Sequence, residues 1–79
     1  MKLQPITALL DANTLYPAPV RDILLHLADI GLFAPKWTEQ IHDEWIQNLL
    51  TNRPDLNLKN LNATRQAMNL AFPNADVKE

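Results

Sequence analysis

Asp11 and Asn13 bring a carboxylate and an amide two residues apart at the end of the most apolar, most strand-like stretch of the chain, Ile6-Thr7-Ala8-Leu9-Leu10-Asp11. Alternate residues of a strand share a face, so continued extension through Asn13 would set the two side chains together. Ligand sites of open α/β sheets lie at that end of their strands. A second carboxylate, Glu44, lies three residues after Ile41 and one before Trp45, which reads as the margin of a helix's apolar arc. From there it would reach the end of an adjacent strand. Asp11 and Glu44 would then share a hard divalent cation, with Asn13 supporting by hydrogen bond; Mg2+ and Mn2+ favour such oxygen donors and keep several waters. Two carboxylates that close, without metal, predict at least one raised pKa. Each residue also has a plainer reading. Asp11 is equally a turn or helix cap, and a lone helical Glu is commonly a solvated surface residue.

Other chemistries find less support. His26 and His42 do not share the i, i+4 spacing of a zinc helix, and the chain has no cysteine. His42 projects toward the apolar arc beside Trp45 and reads as a packed neutral imidazole. Hydroxyl side chains lack Ser–His–Asp company, and one glycine cannot make a phosphate-binding loop. Trp37 and Trp45 read as core. Arg53, Lys59 and Arg65 are scattered cations of the kind that solubilise.

The elements that must position Asp11 and Glu44 are legible in outline. A strand over about 7–10, apolar on both faces, belongs in the middle of a sheet. Pro17 and Pro19 punctuate a loop, and a helix follows from Val20. Its apolar side reads as Val20, Ile23, Leu24, Leu27 and Ile30, with Arg21, Asp22, His26 and Asp29 opposite. Gly31 stops it. Leu32–Trp37 makes a short or edge strand limited by Pro35, so strand, helix and strand form a parallel crossover unit. Thr38 caps a helix running to about Leu50 with Ile41, Trp45, Ile46 and Leu49 inward, and Asn52-Arg53-Pro54-Asp55 ends it. A last helix runs from about Leu58 to Ala71, with Leu61, Met68 and Phe72 inward, closed by Pro73. The polar tail from Asn74 to Glu79 reads as loose.

With 79 residues the chain makes one domain, 1–79, and a small one. Seven basic against nine acidic residues, a net charge of -2, argue against a general nucleic-acid-binding surface. No window is apolar enough to span a membrane, and the N-terminus lacks a basic region leading into a long apolar core, so a soluble, cytoplasmic chain is expected. Two strands do not make a doubly wound sheet. The sequence reads as the beginning of an α/β fold whose later strands are missing.

The run LLDANTLYPAPVRDILLHLADIGLFAPKWTEQIHDEWIQNLLTNRPDL resembles the opening of PIN-domain ribonucleases, specifically the VapC-like toxin branch. The landmarks are D-A-N-x-L-Y-P, R-D-x-L-L, L-F-x-P-x-W, D-E-W-x-x-N-L and the N-R-P-D turn, in order, and the similarity spans essentially residues 7 to 75. It implies a three-layer α/β/α domain that cleaves RNA with Mg2+ or Mn2+, the toxin of a toxin–antitoxin pair. By the same resemblance Asp11 matches the first acidic metal ligand, Asn13 the polar residue orienting it, and Glu44 the second acid. Arg53 matches a contact to RNA or to a partner. Such a metal would lower the pKa of a bound water for in-line attack on phosphorus. The family's further acids and strands belong to a second half. The expected function is therefore an endoribonuclease completed by a second chain, an antitoxin or another PIN-like polypeptide in a homo- or hetero-oligomer, the isolated chain being inactive. The alternative is a catalytically inactive PIN half acting as a protein-binding module.

Overall fold

The apolar run from Ile6 pairs as a strand over four residues. In the computed structural model, which describes residues 6–77, β1 covers Ile6–Leu9, and Asp11 already caps the single helical turn α1, Ala12–Leu15. Helix α2 spans Ala18–Asp29, β2 spans Phe33–Lys36, α3 spans Glu39–Asn52 and α4 spans Leu58–Ala71. Among the described residues the result is an α/β fold with a two-stranded parallel sheet and four helices. The local signals act where they stand. Pro19 sits in the first turn of α2. Gly31, at φ 87°, ends α2 while the Leu32 N–H donates to the Leu27 carbonyl and the Gly31 N–H to that of Ala28, a Schellman closure. Thr38 caps α3 by accepting from the Ile41 N–H at 3.0 Å.

β1 pairs with β2 in the register Ile6–Phe33, Thr7–Ala34, Ala8–Pro35 and Leu9–Lys36. The tail read as loose is tied in. Trp37 donates to the Ala75 carbonyl at 2.9 Å and accepts from Val77 N–H at 2.8 Å, a parallel bridge to Asp76 that buries Ala75. Lys78 and Glu79 lie outside the described residues. Because Leu10 N–H donates to the Lys36 carbonyl while Trp37 bonds to the tail, the tail flanks β2 on the side away from β1. Among the described residues β1 is therefore the edge, not the middle.

One face of the sheet carries the core. Leu10 and Trp37 join Leu15, Trp45, Ile46, Leu49, Leu61 and Met68 in one cluster, against which Ala8, Leu25, Phe33 and Phe72 pack. Thr7 and Leu9 project from the other face and are exposed, Leu9 at 64%. The expectation of a strand buried on both faces is thereby corrected: among the described residues no layer covers that face.

Helix α2 is turned by about 100° from its sequence reading: Leu24 and Leu27 are half-buried and Asp22, His26 and Asp29 exposed as read, but the buried arc is shifted. Arg21 and Ala28 are its buried residues, and Val20, Ile23 and Ile30 stand in solvent, the last two at 60% exposure. The cause is the end of α1, whose Leu15 and Tyr16 carbonyls have no intrahelical partner. Arg21 Nη1 donates to them at 2.8 and 3.4 Å, and its guanidinium lies 4.6 Å from the centre of the Trp45 ring. That anchoring turns Val20, Ile23 and Ile30 outward. No helix among the described residues is long and apolar enough to cross a membrane.

Candidate functional site

Asp11 sits where β1 gives way to α1, and its geometry follows from that change of structure. Its backbone is extended (φ -83°, ψ 171°) while one carboxylate oxygen accepts the Thr14 N–H at 2.8 Å. This bond holds its pKa below the ordinary aspartate value, so the group is an exposed carboxylate at neutral pH. The shift runs opposite to the one that two crowded, unmetalled carboxylates would impose on a raised member of the pair. Asn13 follows two residues on, exposed, but as part of α1 rather than of a continuing strand. The capping reading of Asp11 and its position at the carboxyl end of a parallel strand hold together.

Glu44 does not take the marginal position assigned to it. The buried residues of α3 are His42, Trp45, Ile46 and Leu49, and the half-buried margins are Ile41 and Leu50. At 3.6 residues per turn Glu44 stands about 150° from the centre of that arc. It is exposed, accepts from Gln40 Nε2 at 3.3 Å, and lines an open groove between α3 and α4 with Asp43, Gln47, Asn62 and Arg65. Asp11 and Asn13 are not among the residues of that groove. No hydrogen bond joins either of them to Glu44.

Arg53 faces its own turn. Its Nε and Nη2 donate to the two carboxylate oxygens of Asp55 at 3.2 and 3.1 Å, a fork-to-fork pair on the surface that raises the guanidinium's pKa. Arg65, one of the scattered solubilising cations of the sequence reading, is committed too: it donates to Asp43 at 2.8 Å and pairs with Glu39, tying α4 to α3.

The best-built polar cluster is one the spacing of acids did not point to. His42, fully buried, accepts from Trp45 Nε1 on Nδ1 at 3.0 Å, and its Nε2 lies 3.2 Å from Asn69 Oδ1. The same Asn69 oxygen accepts from Trp37 Nε1 at 2.8 Å. Since Nδ1 is an acceptor, Nε2 carries the proton and donates to Asn69. Burial lowers the His42 pKa, Arg65 adds to the lowering, and Asn69, Glu39 and Asp76 oppose it. Four side chains from β2's end, α3 and α4 are locked by a network whose members are each other's partners. Its signal in the sequence was the His42–Trp45 pair; Asn69 gave none.

As metal donors, Asp11, Asn13 and Glu44 are of the right type for a hard divalent cation and too few in number. Among the described residues no three of His, Asp and Glu gather at one point. Comparison of the chain with protein-family models, with curated proteins and with solved structures found no match.

Proposed function

We propose that this chain carries the first part of a PIN-type, Mg2+- or Mn2+-dependent endoribonuclease of the toxin–antitoxin kind, completed by a second polypeptide. The observation that carries the reading is the Asp11 carboxylate, ionised, exposed and fixed by its own cap at the carboxyl end of a parallel strand. In open α/β sheets this is where ligands bind. The D-A-N-x-L-Y-P and D-E-W runs support the same assignment. The completing polypeptide extends the sheet along β1, covers the face that bears Thr7 and Leu9 to give the three-layer α/β/α arrangement, and brings the further carboxylates. Within the completed site Asp11 is the acid fixed at the strand's end and Asn13 orients it; Glu44, which faces the groove between α3 and α4, is the second acid that the resemblance assigns. Arg53 reaches RNA or a partner only by releasing Asp55.

Donors of this kind, too few in one chain, bind a cation weakly. The test is a Mn2+ titration followed by amide NMR. Selective broadening at Asp11, Asn13 and Glu44, abolished by Asp11→Asn, supports a shared site. Broadening at Asp11 without Glu44, or at neither, overturns it. Cleavage of single-stranded RNA by the chain in Mn2+ is expected to be undetectable until the completing polypeptide is added, and to stay so with Asp11→Asn.

The open edge of β1 favours a second reading, a protein-binding module without catalysis. Under it the chain binds its partner with unchanged affinity when Asp11 and Glu44 are both neutralised, and the complex leaves RNA intact in Mn2+.

A further inference from the structure

α1 is a single turn, and we infer that Arg21 is the positioning residue that keeps it formed and so fixes the Asp11 carboxylate in place. Four residues make no stable helix by themselves, because a first turn orders several dihedrals for one hydrogen bond. The Leu15 N–H donates to the Asp11 carbonyl at 3.1 Å and the Tyr16 N–H to that of Ala12 at 3.0 Å, while the Thr14 N–H takes the Asp11 carboxylate. That carboxylate keeps its direction only as long as the turn persists. The support has to come from outside α1.

Arg21 lies where the support is needed. Its Nη1 donates to the Leu15 and Tyr16 carbonyls at 2.8 and 3.4 Å, and a cation at the carboxyl end of a helix suits the partial charge there. Its guanidinium also lies over the ring of Trp45 on α3, the helix that carries Glu44. One side chain of α2 thus touches both elements that bear the candidate acids. The remaining ties on this segment leave those carbonyls alone. The Leu10 N–H is held by the Lys36 carbonyl, the Leu15 side chain is buried but apolar, and Asn52 donates to the Tyr16 hydroxyl on the surface.

Stability alone does not call for an arginine at this place. Arg21 is 7% exposed, its Nε has no partner, and no ion pair among the described residues includes it. Burial lowers its pKa, and the neighbouring Asp22 only partly opposes that. A buried cation without a paired carboxylate is a weak stabiliser, and an apolar side chain of similar length often serves a core as well. Such a side chain cannot hold two carbonyls, which is what the turn requires.

Asp11 matters in this way only under the function proposed above, but the clamp is measured with neither metal nor RNA present. The experiment is amide hydrogen exchange by NMR on the wild-type chain, Arg21→Met and the conservative Arg21→Lys. In Arg21→Met the Thr14, Leu15 and Tyr16 amides should exchange about tenfold faster relative to those of Leu49 in α3 and Met68 in α4. Both bonds to the carbonyls leave from one nitrogen, so Arg21→Lys should return most of the protection. A merely structural role would speed the amides of α1, α3 and α4 together; that result overturns the inference, as does α1 protection that survives Arg21→Met. Should Arg21→Met fail to fold, the wild-type chain decides in a urea series. The Arg21 Nη protons and the α1 amides should then open together, and α1 amides that exchange while those protons stay protected overturn the clamp. Absence of Mn2+ broadening at Asp11 defeats the nuclease reading alone, whereas unchanged exchange defeats the clamp alone.

Discussion

His42 keeps both of its ring hydrogen bonds only as the neutral imidazole protonated on Nε2. A second proton on Nδ1 would face the Trp45 N–H, donor against donor, in a fully buried site. The charged groups around it are Arg65, which disfavours the cation, and Glu39 and Asp76, which favour it; burial outweighs the latter. The unfolded chain takes up this proton near pH 6.5, the folded one only at lower pH. Between the two the unfolded state holds more protons, so stability is full above 6.5 and falls as the pH drops through and below it. Urea midpoints measured from pH 8 to pH 5 should decline, and His42→Gln should flatten that decline while costing about 1–3 kcal/mol at pH 8 through the disrupted network. Trp45, fully buried, touches the same network and the Arg21 guanidinium. Trp45→Ala should cost about 3–5 kcal/mol, most of what a small domain has, and leave the chain largely unfolded by circular dichroism. The burial of His42 and Trp45 was legible from their spacing. Asn69 was not, because a lone amide between apolar helix positions declares a partner only when the neighbouring helix is in place.

At the scale of elements, the signals that proved legible are those whose physics is local. Thr38 offers a hydroxyl to an amide three residues on, and Gly31 supplies a positive φ at no steric cost. The short turn α1 was missed because four residues have no periodicity to read, although Asp11 as a cap announces it. The orientation of α2 was misread for a different reason. Leu24, Leu25 and Ala28 with the adjacent Val20, Ile23 and Ile30 make the apolar arc too broad to fix one inward direction, and the deciding residue, Arg21, looks solvent-bound until the carbonyls of Leu15 and Tyr16 need a donor. Two substitutions separate the orientations. Ile23→Lys should change the stability of the monomer by no more than about 0.5 kcal/mol, as for other exposed positions. Ala28→Lys, which forces a charge into a buried position, should cost several times that. Equal losses measured by thermal unfolding at low protein concentration would mean that α2 packs by its Ile23 side.

Among the described residues the helices lie on one face of the sheet, the other face is bare and the outer edge of β1 is unpaired. The sequence implied a central strand whose unpaired groups would be buried and costly. Thr7 and Leu9 are instead exposed, so water satisfies their outward groups and no such penalty falls on the monomer. A single copy can therefore fold, with a modest core and small reserve, as expected for its size. Leu9→Lys tests that account: Leu9 is 64% exposed, so the change should cost no more than about 0.5 kcal/mol and move the melting temperature by no more than about 2–4 °C, since 1 kcal/mol is worth about 4–8 °C in a domain this small. A loss several times larger in thermal unfolding would show that the face bearing Thr7 and Leu9 is covered.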